Sequence, residues 1–118
     1  VRVIGPDPAD VGGIAELKWV TEHAYMHSIM MAPHGTANGL LGLGALINVC
    51  ATLPANFIAF EYPSASDPWW NDIVIGLPER IVIDSHVGLL PAPGLGLDID
   101  AEAAKKYLAD EDIGFFLP

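Results

Sequence analysis

Three ionisable residues recur at a single interval. Asp7, His34 and Glu61 follow one another 27 residues apart. An aspartate beside a histidine fixes the imidazole tautomer and leaves the other ring nitrogen to take or give a proton, which is general acid/base chemistry. A glutamate within reach can hydrogen-bond a substrate oxygen. A blander assignment competes with this one: Asp7 caps a loop, His34 bonds backbone and Glu61 is solvated.

Those residues can act together only if the chain brings them to one place. Val1 to Ile4 is a β-branched run stopped by Gly5-Pro6, which reads as a strand end. Asp7 to Gly13 reads as a loop. From Ile14 to His27 the apolar positions Ile14, Leu17, Val20 and Ala24 keep a helical period. Ser28 to Ala32 suits a buried strand closed by Pro33. Asn38 is placed to cap a second helix, from Gly39 to about Leu53, ended by Pro54. Gly42 and Gly44 would let that helix lie close on a sheet. Phe57 to Tyr62 reads as a third strand, closed by Pro63. This β-loop-α repeat predicts parallel strands with crossover helices, an α/β fold that is either a doubly wound sheet or part of a (β/α)₈ barrel. In either, Asp7, His34 and Glu61 fall at the C-terminal edge of neighbouring strands, where barrels build their active sites.

The pattern changes after Pro63. Pro68 to Ile75 could form a short helix carrying Trp69 and Trp70. Arg80 to Ile83 and Val87 to Leu90 read as strands around Asp84-Ser85-His86, and Pro91 to Gly96 as a rigid turn. Asp100 is placed to cap a helix through about Leu108, with Glu102 early and Lys105-Lys106 late, matching the helix dipole. Phe115 and Phe116 are expected to dock the tail.

Composition bounds the partners. The 118 residues are 52% apolar, which excludes intrinsic disorder, and their size suits one modest domain. Five basic against fifteen acidic residues leave a net charge of −10, so neither nucleic acid nor an anionic membrane is an expected partner. One cysteine excludes a disulfide framework or a cysteine zinc site. No signal peptide is legible, and Gly39 to Leu53 is shorter than the roughly 20 residues of a spanning helix. A soluble, cytoplasmic protein is the expectation.

Pro6-Asp7 with Gly12-Gly13-Ile14, then Ala32-Pro33-His34-Gly35, Phe60-Glu61-Tyr62-Pro63 and Pro93-Gly94-Leu95-Gly96 occur in that order. The set resembles the C-terminal part of the mandelate racemase and muconate lactonizing enzyme-like branch of the enolase superfamily. The resemblance implies a capping domain plus a modified (β/α)₈ barrel, and abstraction of the proton beside a substrate carboxylate with Mg²⁺ as cofactor. It implies His34 as the base ending the seventh strand, Asp7 as its partner ending the sixth, and Glu61 as the eighth-strand acid that hydrogen-bonds the substrate. Substrate binding would rest on Glu61 and His34. The implied substrate is a small carboxylate, an acid sugar for a dehydratase; a racemase, epimerase or cycloisomerase is the alternative. The implied parent is a homo-oligomer.

The resemblance also has gaps. Its carboxylate metal ligands belong to the third, fourth and fifth strands and its Lys-x-Lys base to the second, and none of these strands is here. A full barrel takes about 250 residues. The chain is therefore expected to be strands six to eight plus the C-terminal segment, with strand ends in 1–63 and the segment in 64–118. It is expected to hold no Mg²⁺ ligand of its own, so a non-catalytic remnant is a third possibility.

Other residues have simpler readings. His23 and His27 stand four apart, a spacing that can bind metal on a helix, although the dipole alone favours histidines near a helix C-terminus. His86 is expected in a solvated turn, Cys50 in an apolar core, and Trp69 and Trp70 either in packing or walling the site or a subunit interface.

Overall fold

The computed structural model describes residues 1–35, 39–62 and 69–116. Asn38, the expected helix cap, lies outside them. Strand β1 (Val3–Ile4) pairs in parallel with β2 (Met30–Met31), Val3 opposite Met30 and Ile4 opposite Met31. Met31 then makes a parallel bridge to Phe57. Helix α1 (Ile14–Met26) connects the first two strands, and α2 (Gly39–Cys50) follows the second. This is the βα repeat read from the sequence.

α1 buries Leu17, Thr21 and Ala24 at helical spacing, while Lys18 and Glu22 pair across its outer face at 3.0 Å. α2 is apolar all round because it is covered all round. One side joins Leu46, Val49 and Cys50 to Leu17, Ala24 and Met31 in the first core cluster. The other joins Leu40, Leu43 and Ile47 to Trp70 in the second. Burial pushes the Cys50 thiol up to about 12, the behaviour of a core residue.

The remaining chain forms α3 (Trp69–Asp72), β3 (Val74–Ile75), the hairpin β4 (Val82–Ile83) and β5 (His86–Val87), β6 (Asp98–Ile99) and α4 (Ala101–Ala104). The 3₁₀ turns Lys105–Tyr107 and Asp110–Asp112 close it. β3 and β6 pair antiparallel across a long connection, a pairing the sequence pattern did not announce.

Several elements are shorter than expected. The helix expected over Pro68 to Ile75 is a single turn, because Val74 and Ile75 join β3. That expected to Leu108 changes to 3₁₀ after Ala104, although Asp100 caps it as foreseen by accepting from the Ala103 amide at 2.9 Å. Gly44 does permit a close approach, but to Leu95 and Leu97 of the turn region rather than to a strand: a Cβ there would stand 2.8 Å from Leu97. Asn48, one turn on, donates to the Leu95 carbonyl at 3.3 Å. Phe115 and Phe116 meet edge to face and line a cavity with Trp69, and Phe115 stays 74% exposed instead of docking the tail.

Candidate active site

The site is assembled by backbone hydrogen bonds between strand ends. From β1 to β2 the ladder is regular: Met30, Ala32 and His34 donate to the carbonyls of Arg2, Ile4 and Pro6. The last bond, 3.2 Å long, places His34 beside Asp7. Side chains alternate along both strands, so Ile4 and Met31 point to the helices while Asp7 and His34 share the opposite face.

The next pair slips by one residue. Met31 donates to Asn56 and accepts from Ile58 at 2.9 Å; Pro33 then accepts from Glu61, also at 2.9 Å. The ladder advances two residues on one strand and three on the other, which is a β-bulge. Pro33 has no N–H to donate to Ile58, so the regular continuation is missing its next bond. Phe57 and Phe60 both pack against the core although they lie three apart, a spacing that an unbroken strand would send to opposite faces. The extra residue at Ala59 thus returns Glu61 to the face carrying His34. It also explains why the strand expected over Phe57 to Tyr62 is reduced to one bridge.

The result is an imidazole between two carboxylates. Asp7 Oδ2 lies 3.4 Å from His34 Nδ1, and Glu61 Oε2 lies 3.7 Å from His34 Nε2. Exposure rises across the set: the side chains are 2% exposed for Asp7, 39% for His34 and 64% for Glu61. Asp7 is also the loop cap that the blander assignment foresaw, since its Oδ1 accepts from the Ala9 amide at 2.8 Å. Its two oxygens serve the two roles separately. The Asp10 and Val11 amides both bond the Asp7 carbonyl, and Gly12 and Gly13, both at positive φ, let the loop turn into α1. Phe60 and Tyr62, which flank Glu61, line a cavity of about 500 Å³ that the β4–β5 hairpin closes.

Asn56 is a positioning residue that the sequence reading passed over. Buried at the start of the third strand, it donates to the Ile29 carbonyl at 2.9 Å and the Thr21 carbonyl at 3.3 Å, tying that strand to α1 and to the entry of β2. A polar amide opening an apolar run was its only signal. Trp70 is a core residue, and Trp69 belongs to a cavity whose described lining includes none of Asp7, His34 or Glu61. His86 is exposed as expected but opens β5 rather than sitting in the turn, its Nδ1 2.6 Å from the Asp84 carbonyl.

Among the described residues no group of three or more His, Cys, Asp or Glu side chains is placed to hold a metal ion. The two nearest carboxylates face an imidazole, an arrangement for moving protons rather than for ringing a hard cation with oxygens.

Comparison with known proteins places this arrangement in a class. Residues 1–104 match the enolase C-terminal domain-like family, and the chain belongs to it. It is 31% identical over 115 residues to a D-xylonate dehydratase of Haloferax volcanii, covering 98% of this chain and 27% of that protein. It is 30% identical over 111 residues to a D-galactonate dehydratase of Xanthomonas euvesicatoria, covering 90% of this chain and 28% of that one. It superposes with a TM-score of 0.78 and 34% identity on a mandelate racemase/muconate lactonizing enzyme-like protein from Rubrobacter xylanophilus, over 93% of this chain and 27% of that one. The chain thus spans little more than a quarter of each relative. Its α/β architecture is that of the C-terminal part of a barrel of this family. Among the described residues no helix is long and apolar enough to cross a membrane.

Proposed function

We propose that residues 1–62 supply the proton-transfer half of the active site of an acid-sugar dehydratase, with 69–116 as the segment that braces it. The observation that carries the reading is His34 held between Asp7 and Glu61 at adjoining strand ends. With Asp7 at Nδ1, the lone pair of neutral His34 sits on Nε2, the nitrogen on the side of Glu61. That nitrogen can take the proton from the carbon beside the substrate carboxylate, or, once protonated, give a proton to the departing hydroxyl. Glu61, the most exposed of the three, hydrogen-bonds a carboxylate oxygen of the substrate as charge builds there. Loss of one C–H proton and one hydroxyl releases water and leaves an enol, which rearranges to the oxo acid. The class of substrate follows the relatives, which act on D-xylonate and D-galactonate. The ligands of the Mg²⁺ that the family implies are assigned to residues outside this chain, and no step above runs through the ion.

Replacing His34 by Asn in the full-length protein should cut dehydration by at least about 10²-fold, the scale of general acid/base catalysis, with its melting temperature unchanged. Full turnover in that variant would overturn the proposal. The likeness to the racemase-like structure from Rubrobacter xylanophilus supports a second reading, an isomerase built on the same half-site. Deuterium entering the carbon beside the carboxylate without loss of water would select it.

A further inference from the structure

α1 ends at the edge of the sheet opposite Asp7, His34 and Glu61: it closes just before β2 begins, whereas His34 stands beyond the end of β2. That end carries His23 and His27, both exposed. Their ring centroids are 4.6 Å apart, with the planes inclined by 55°.

The backbone fixes where the two side chains leave the helix end. The Ser28 amide bonds the Tyr25 carbonyl and the Ile29 amide bonds the Ala24 carbonyl, with Ser28 in the left-handed region at φ 55°. This is a Schellman closure, and it sets where His27, the C-cap residue, leaves the helix. Two imidazoles one helical turn apart at this separation can bind a single ion without moving backbone. The negative end of the helix dipole favours a cation there, as does the net charge of −10. Neutral imidazole selects Cu²⁺, Ni²⁺ or Zn²⁺ over Mg²⁺. His-Ala-Tyr-Met-His lacks the glutamate that makes a His-Glu-x-x-His helix hydrolytic, so the chemistry is binding.

We propose that His23 and His27 form a two-imidazole chelate for a divalent transition-metal ion, separate from the proton-transfer site. Among the described residues no third His, Cys, Asp or Glu joins them, so water completes the coordination shell and the ion is exchangeable.

Titration of the full chain with Cu²⁺ alone, followed by calorimetry and electron paramagnetic resonance, tests this. The expected result is one equivalent bound through two nitrogens. Either His23→Gln or His27→Gln should weaken it by about tenfold or more and leave one-nitrogen coordination, with circular dichroism unchanged because both side chains are exposed. His34→Gln should leave it intact. Unaltered Cu²⁺ affinity in the double variant, or loss of binding in His34→Gln instead, would overturn the proposal.

Discussion

Residues 1–62 and 69–116 are held together by different means. In the first, strands run parallel, helices cover one face, and a ladder of backbone bonds ends at the three site residues. In the second, two-residue strands pair antiparallel, contacts such as Trp70 in the second core cluster and Asn48 on Leu95 fasten the segment to α2, and Tyr107 on Asp72 ties the segment to itself. That last bond, at 2.5 Å, holds the Tyr107 hydroxyl above its usual pKa. Chemistry sits where backbone geometry is over-determined. The C-terminal segment contributes walls and ties, and its loss is expected to cost less.

Core truncation gives the largest test of this contrast. Leu46→Ala, a fully buried α2 position packed against Leu17 and Ala24 of α1 and Met31 of β2, should destabilise the chain by about 2–5 kcal/mol. Ile99→Ala, 42% exposed in β6, should stay within about 0.5 kcal/mol. Chemical denaturation measures both, and equal losses would erase the distinction between the regions.

Asn56→Ala comes next. It removes a buried and a part-buried hydrogen bond to backbone carbonyls and should cost about 1–3 kcal/mol, although no site residue is touched. Asp100→Ala, which removes the α4 cap, should cost about 0.5–2 kcal/mol by the same assay.

The smallest change runs in the opposite direction. Ser28→Gly relieves a left-handed strain of about 1–2 kcal/mol, and the freer unfolded chain returns about 0.4–1 kcal/mol. A net gain of up to about 1.6 kcal/mol should appear as a higher denaturation midpoint, and a loss would contradict the closure described for α1.

Titration separates the regions as well. The raised Cys50 pKa means that the folded chain resists forming the thiolate. The unfolded thiol ionises near 9.0 and the folded one near 12, so the associated stability is complete below pH 9 and is lost as pH rises through that window. Thiol-reactive dye should label Cys50 only on unfolding; rapid labelling of the native chain would place it outside the core.

The contrast also marks what could be read in advance. The βα repeat, the apolar faces of α1 and α2 and the common edge of Asp7, His34 and Glu61 were legible, because period and spacing encode them directly. Pairing of β3 with β6 was not, since two short runs separated by a long connection leave no local pattern. The Ala59 bulge was hidden for a different reason. Its cause, the missing donor at Pro33, lies on one strand and its effect on Glu61 lies on the next. Asn56 was missed because its role depends on which carbonyls the fold brings beneath it.

Central to the account is an imidazole whose tautomer is set by Asp7, leaving Nε2 on the side of Glu61. Long-range ¹H–¹⁵N correlation of the neutral His34 ring measures this directly. The predicted result is a proton on Nδ1 in the native chain and loss of that preference in Asp7→Asn. A proton on Nε2 in the native chain, or a preference indifferent to Asp7, would contradict it.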